Sequence, residues 1–572
     1  MRPKPYIEGR DACQVTFAPE CLDELITPEN PVRFIAAFVD SLYLAGHGFV
    51  RAIPAQTGKP AYDPRCLLKL YIYGYIHKIR SSRKLEREAY RNIELWWLLG
   101  KLTPDHNTIA DFRKDNARAL RRVFRTFVHL CADLRLIGGK QVCIDGTKIR
   151  ASNGRKQATS RELTEKKLAY AKAQLEIVEA YLADLDRKDI DQGRLSQPFA
   201  LDIDPEHLPD REELKRRIAQ HEAHLAEMEE RGENQLTFTD AECRVMHMHD
   251  GASRPAYNIQ TATDTAHHLI TEFEVTDACN DMGQIYDTAN AVRETLGVPV
   301  VSVIMDKGYE SGKDIERCVL NGIIPDVGFK YDRDDRAIVL DYEEAEITEQ
   351  QRVSTEAEDI KVCLRAGVLP ACYEGSNIRV EVQEQTVTSC FIRHEDGRVT
   401  CPMGKELFFQ GKKKHGCDYG SKEACRTCPN RCTDGKQFKV VRFGSNTHYV
   451  PVIMYGNAKY PLQKIPEIEQ NTPYNAFGRV KRKPKRVMVF IRRDKAKQKL
   501  RMQVSEHPFG TVKFYQGAYH FLCRGKEKVG AEMALSFLAY NMIRAVNLVG
   551  VPGILTHLCR KREGNGAKMG MI

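Results

Sequence analysis

Residues 140–149 read KQVCIDGTKI and residues 299–309 read PVVSVIMDKGY. Each is a short apolar, β-branched run that stops at an aspartate with glycine close behind: Asp145-Gly146 in the first, Asp306-Lys307-Gly308 in the second. Runs of this length bounded by turn residues read as buried strands. A single aspartate before a glycine is more often a turn residue. Two neighbouring strands that both end in a carboxylate bring two oxygen donors to one sheet edge. Hard cations such as Mg²⁺ take such ligands, one or two from the protein, with water and a substrate phosphate completing the shell.

Outward from this pair, AYNIQTATDT (256–265) and HHLITEFEVTD (267–277) alternate as strands do, and IIPDVGF (323–329) is again strand-like. Asp281–Thr295 and Lys313–Leu320 read as helices. The order is three strands, helix, strand, helix, strand, an α/β arrangement with a mixed sheet flanked by helices. Upstream, residues 1–135 read as all-helical: Pro64 opens CLLKLYIYGYI, Ser81 or Ser82 caps SSRKLEREAYRNIELWWLL, and Thr103 or Asp105 caps a basic amphipathic helix. Arg80, Arg83, Lys84, Arg87, Arg113, Arg121 and Arg122 on exposed faces would suit a helix-turn-helix-like grip on DNA.

Two segments interrupt the α/β order. Over about 155–235, Leu168, Leu175 and Leu182 recur every seven residues, and a second run carries Leu214, Ile218, His221, Leu225 and Met228. An antiparallel helical hairpin is expected. Over 336–495 the chain mixes acidic helix, strands and a cysteine group. Cys425 and Cys428 form a Cys-x-x-Cys step, Cys432 follows after three residues and Cys401 stands upstream, with Cys417 as a substitute. Four thiolates in this order are a candidate structural Zn²⁺ site; reduced, unliganded cysteines are the plainer alternative. Arg479–Arg501 holds twelve Lys or Arg and one acidic residue, among them Lys481, Arg482, Lys483, Lys485, Arg486 and Arg501. Charge of that density would neutralise several phosphates and make binding salt-dependent.

The whole chain of 572 residues is several domains long, with 42% hydrophobic and 29% charged residues and a net charge of +10. No apolar run approaches the ~20 residues of a membrane span, and MRPKPYIEGRDACQV lacks a secretory core. A cytoplasmic protein with mostly reduced thiols is expected, and no membrane partner.

DGTKIRAS (145–152), YNIQ (257–260), DKGYES (306–311) and EHPFGTVK (506–513) resemble the DDE transposases of bacterial insertion sequences. GYIHKIRSSRKLE (74–86) and PDHNTIADFRKDN (104–116) are similar to the N-terminal helical domain of their long form. The resemblance spans roughly Pro60 to Asn547. It implies an RNase H-like core and a bacterial enzyme that binds its element's terminal inverted repeats. Such an enzyme hydrolyses phosphodiester bonds with two Mg²⁺ or Mn²⁺ ions and joins the 3′-OH ends to target DNA as a homodimer or larger. Asp145 and Asp306 match the family's two aspartates. Glu506 matches the glutamate of its Tyr-Arg-Glu-Lys signature, with Lys513 at the expected gap. Arg501 stands one residue further upstream than that signature has it, and no tyrosine precedes it. Glu532 is the competing third carboxylate. Lys148, Arg150, Lys307 and Tyr309, flanking the aspartates, would contact DNA, and Asn258 and Gln260 would orient a water or a base. A nuclease without strand transfer and a non-catalytic DNA-binding relative are the alternatives.

The expected domains are a helical DNA-binding domain (1–135), a first part of the core (136–335, with the hairpin inserted), and an insertion domain (336–495). The C-terminal helices of the core (496–550) and a tail (551–572), disordered over its end REGNGAKMGMI (562–572), complete them.

Overall fold

The computed structural model describes residues 21–54, 60–190, 209–328, 335–384, 390–393, 398–401, 405–413, 416–428, 438–443, 452–455, 458–461 and 485–569. Two compact units are present: Met1–Val319 with Ile323–Asp332 and Arg493–Ile572, and Leu320–Gly322 with Arg333–Arg492.

The first unit begins with helices α1 (Pro31–Asp40), α2 (Pro64–Ile76), α3 (Ser82–Arg91), α4 (Ile93–Leu99), α5 (His106–Asp115) and α6 (Ala117–Asp133). Asn30, Asp63, Asn92 and Asp105 cap α1, α2, α4 and α5 through their side chains, satisfying amides that a helix start leaves open. Two helices expected to be continuous are split. Asn92 closes α3 and caps α4 in extended geometry, and Asn116 separates α5 from α6. Next come β1 (Gln141–Arg150), β2 (Ala158–Ser160), α7 (Arg161–Ile190), α8 (Arg211–Glu230), β3 (Gln235–Thr237), β4 (Arg244–His247), β5 (Ser253–Asp264) and β6 (Ile270–Thr276). Then follow α9 (Ile285–Leu296), β7 (Val301–Met305), α10 (Gly312–Val319) and β8 (Ile323–Val327).

The main sheet runs β4-β5-β1-β7-β8, with β6 also paired to β5. β1, β5 and β6 are antiparallel neighbours, whereas β1, β7 and β8 are parallel. Helices cover the sheet, so β5 is buried from Pro255 to Asp264. A strand buried on both faces is expected to be apolar; β5 instead buries Asn258, Gln260, Thr261, Thr263 and Asp264. Buried polar groups need partners, and theirs define the site below.

The N-terminal helices share one apolar core with β5, β6 and the last helix: Phe38 and Phe127 meet edge to face at 5.2 Å, and Phe124 meets Phe273 at 5.3 Å. Glu272, 1% exposed on β6, takes Arg121 and Arg125 of α6 as counterions and the Thr295 hydroxyl as donor. α7 and α8 form the antiparallel hairpin, bridged by Lys172–Glu222 at 2.8 Å and Arg211–Glu179 at 3.4 Å, with Ala171, Val178, Leu214 and Met228 buried between them.

In the second unit, β9 (Asp335–Asp341), α11 (Glu349–Val353), α12 (Ala357–Arg365) and β10 (Ile378–Glu384) come first. They precede β11 (Cys390–Arg393), β12 (Val399–Thr400), β13 (Glu406–Lys413), β14 (Gly416–Gly420), α13 (Lys422–Arg426), β15 (Val440–Phe443), β16 (Val452–Tyr455), β17 (Ala458–Pro461) and β18 (Lys485–Arg492). β18 lies between β10 and β9 and buries Val487, Val489 and Ile491, so the middle of the basic stretch is a sheet strand.

The chain returns to the first unit with α14 (Lys495–Gly510) and α15 (Lys526–Met569). The core's helices, expected to end at residue 550, go further: α15 continues past a break at Gly550 (φ 77°). Pro552 suits a restarted first turn, and Ile554 and Leu558 reach the core. Contrary also to the reading of apolar runs, Lys526–Arg560 is long and apolar enough to cross a membrane. Its first half, from Val529 to Ala545, is packed in the core.

Candidate active site

β1 and β7 pair in parallel with Cys143 opposite Ile304. Two residues further on stand Asp145 and, just past the end of β7, Asp306, near enough for its charge to act on Asp145. Asp306 ends β7 and caps the tight turn Lys307–Tyr309, its carboxylate accepting from the Gly308 amide. Asp145, expected at a strand tip, lies within β1, because β5 goes on pairing through Arg150 opposite Ala256 after β7 has turned away.

α14 crosses this edge. Asp494 caps it, Gln498 donates to the Asp326 carboxylate on β8 at 2.8 Å, and Leu500 and Val504 pack on Cys143 and Ile304. One turn of the same face carries Arg501, whose Nη1 lies 3.3 Å from Asp145 Oδ2, and Ser505. Burial pushes the Asp145 carboxyl above its usual range, opposed by Ser505, Arg501 and the Gly146 amide, while Asp306 adds to the rise. Glu506, next to Ser505, is exposed. Lys513 follows in a π-helical turn, Thr511–Tyr515. Burial lowers its ammonium pKa, and Asp145 works against that fall. In an unbroken helix residues 506 and 513 would point the same way; the wider turn leaves Lys513 facing inward and Glu506 outward.

Sequence reading missed Asp281. Its Oδ1 accepts from Asn258 Nδ2 at 2.8 Å and Gln260 Nε2 at 2.7 Å, and Tyr309 donates its hydroxyl to Gln260 Oε1. Asn258 and Gln260, expected to orient a water or a base, are thus engaged with a carboxylate. Tyr309 is the third residue after Asp306, so the network ties the Asp306 turn to β5. A Cβ on Gly146 would lie 2.3 Å from Asp281 Oδ1, which explains glycine after Asp145. That glycine was the available signal, but only the register of β1 against β5, Gly146 opposite Gln260, reveals what it makes room for.

Several expected DNA contacts are placed otherwise. Tyr309 is 1% exposed, and burial raises its pKa well above the ordinary value. Arg80 is buried against Glu532 and donates to the carbonyls of Gly517 and His520. Arg113 is buried under Tyr75, and Arg121 is spent on β6. Glu532, 1% exposed, accepts from the Leu522 and Cys523 amides as well as Arg80, so its oxygens are occupied. Arg83, Lys84, Arg87, Arg122 and Lys307 are exposed, while Lys148 and Arg150 are half-buried. Lys481, Arg482, Lys483 and the Lys485 side chain lie outside the described residues; Arg486 is half-buried on β18.

Among the described residues no three His, Cys, Asp or Glu stand close enough to hold a metal ion. That holds for Cys401, Cys425 and Cys428, which form no disulfide; Cys432 lies outside the described residues. It holds equally for Asp145, Asp306 and Glu506, whose third member faces solvent.

Residues 20–115 match a family model described as Transposase domain (DUF772). The match covers α1 to α5, of which α1, α2 and α5 pack against α15, and it supports a transposase, a DNA-binding and DNA-processing enzyme. No curated protein and no solved structure matches the chain.

Proposed function

We propose that this chain cuts DNA at the ends of a mobile element and joins the freed ends to a target, with Asp145 and Asp306 at the centre of the chemistry. The observation that carries this reading is that Asp145, in β1, and Asp306, just past the end of the parallel strand β7, lie close enough for the charge of one to act on the other. The strand order β6-β5-β1-β7-β8, three antiparallel then two parallel, supports an RNase H-like core.

The two aspartates fit Mg²⁺ or Mn²⁺. Asp145 is a half-buried carboxylate whose present counterion is Arg501, a cation standing where a metal could serve, and such ions need only one or two protein carboxylates. When bound, the ions would polarise the scissile phosphate and lower the pKa of a bound water. The chain's own contribution is positioning. The Asp281–Gln260–Tyr309 network fixes the turn bearing Asp306, and Arg501 holds Asp145. Lys513 offers a partly desolvated cation to a phosphate. Glu506, exposed next to Ser505, is the third carboxylate of this reading.

Water attack breaks one P–O bond of the strand and leaves a 3′-OH. That hydroxyl then attacks a target phosphodiester, forming a new P–O bond as the target's own 3′ oxygen leaves. Both steps are in-line exchanges at phosphorus, so no bond to the protein is needed. Two ends must be handled together, which calls for at least a dimer. A joining assay with precut ends tests the reading: strand transfer is expected, and cutting without any transfer would reduce the protein to a nuclease.

A further inference from the structure

Just past Lys513 the chain shows aromatic rings to solvent: Phe514 is 86% exposed, Tyr515 57% and Tyr519 52%. Single exposed apolar residues need no explanation, but a cluster beside a reactive edge marks a contact surface. Cations lie on two of these rings. Lys78 Nζ sits 3.6 Å from the Tyr515 ring centre, and the Arg150 guanidinium 5.4 Å from that of Tyr519. No acidic residue occurs between Thr511 and Cys523. Grooves of about 620 Å³ and 460 Å³ open beside Phe514 and Tyr519 respectively.

The backbone following these rings is hydrogen-bonded to the core. Arg80 takes the carbonyls of Gly517 and His520, Glu532 takes the amides of Leu522 and Cys523, and the Phe521 amide donates to Arg150 O at 2.8 Å. The strip is therefore anchored to β1, five residues beyond Asp145, and to a buried ion pair. A backbone tied down on both sides of Tyr519 has less freedom to lose on binding, which is what preorganisation supplies.

We infer that Phe514, Tyr515 and Tyr519, with Lys78 and Arg150, receive unpaired DNA nucleotides next to the cut. Charge alone would suit duplex DNA equally. Aromatic faces select unpaired strands, because a base can stack on a ring only after leaving its own stack. The inference rests on DNA being the substrate of the aspartate edge.

Its test is anisotropy of a labelled mixed-sequence single strand and of the matching duplex, on the full chain in EDTA so that no cutting intervenes. Phe514→Ala and Tyr519→Ala should each weaken single-strand binding by about tenfold, as loss of a stacked base does, with duplex binding changed far less. Tyr519→Trp should retain single-strand binding. Equal losses on both probes, or none, would overturn the inference. So would a change in self-association of the DNA-free variants on sedimentation, which would make the strip a contact between copies of this chain. Cutting by Asp306→Ala, assayed separately with metal, reports on the aspartate edge alone, so the two readings fail independently.

Discussion

Arg501 and Asp145 stand 3.3 Å apart, guanidinium to carboxylate, although 356 positions of sequence separate them. The contact exists because α14 returns to the sheet after the whole second unit has intervened. Burial alone would favour a protonated Asp145, and Arg501 is one of the groups that favour its charge. Arg501→Gln should therefore lower the thermal stability of the metal-free protein and enlarge the stabilisation on adding Mn²⁺. Thermal unfolding in EDTA and in Mn²⁺ reads both. An unchanged metal response would mean that Arg501 does not stand in for a cation.

Glu506 and Glu532 are separated by what surrounds them. Glu532 belongs to a buried ion pair with Arg80, and removing one partner of such a pair costs about 3–5 kcal/mol. Glu506 is exposed, so its loss should change stability by no more than about 0.5 kcal/mol. Glu506→Ala should fold normally and fail to cut; Glu532→Ala should show its defect first in chemical denaturation. A fully active Glu506→Ala would remove it from the site.

Gly146→Ala tests the Asp281 network. The new methyl would sit 2.3 Å from Asp281 Oδ1 and 2.5 Å from Gln260 Nε2, and overpacking of this kind costs about 1–3 kcal/mol. Cutting should fall together with stability. Gln260→Leu should lower cutting with a smaller loss of stability, since it breaks the link to Tyr309 without adding bulk beside Asp281. Full activity in both variants would leave the network without a role in positioning Asp306.

Asp326 makes a pH prediction. It is fully buried, Gln498 occupies its Oδ1, its Oδ2 has no hydrogen-bond partner, and burial raises its pKa. Above the ordinary aspartate value of about 3.9, and up to the raised one, the folded state holds a proton that the unfolded state has lost. Stability from this group thus falls as pH rises through that window. Asp326→Asn should gain on the parent as pH rises above that value, and the two should converge below it. Urea unfolding at several pH values measures this; a constant offset would mean the carboxyl titrates alike in both states.

Much of the sheet was legible because β1 and β7 are covered on both faces and so read as unbroken apolar runs ending in aspartate. The α7–α8 hairpin was legible for a related reason, since its narrow seam repeats every seven residues. The fate of single charged residues was not. Arg80 and Arg113 look like any basic residues at helix surfaces, and only the return of α15 beneath them turns them inward. Asp281 stands in a loop before α9, where no periodicity applies, and its importance comes from the register of β1 against β5. The restart of helix after Gly550 was missed because glycine followed by proline reads equally as a stop.

The central claim is that Asp306 is a metal ligand at a DNA-cutting site. Its most direct measurement is cutting of DNA that carries the element's ends by Asp306→Cys, in Mg²⁺ and in Mn²⁺. A thiolate is a poor ligand for Mg²⁺ and a better one for softer ions, so the variant should be inactive in Mg²⁺ and partly active in Mn²⁺, with the parent active in both. Equal activity of variant and parent in Mg²⁺ would contradict the account.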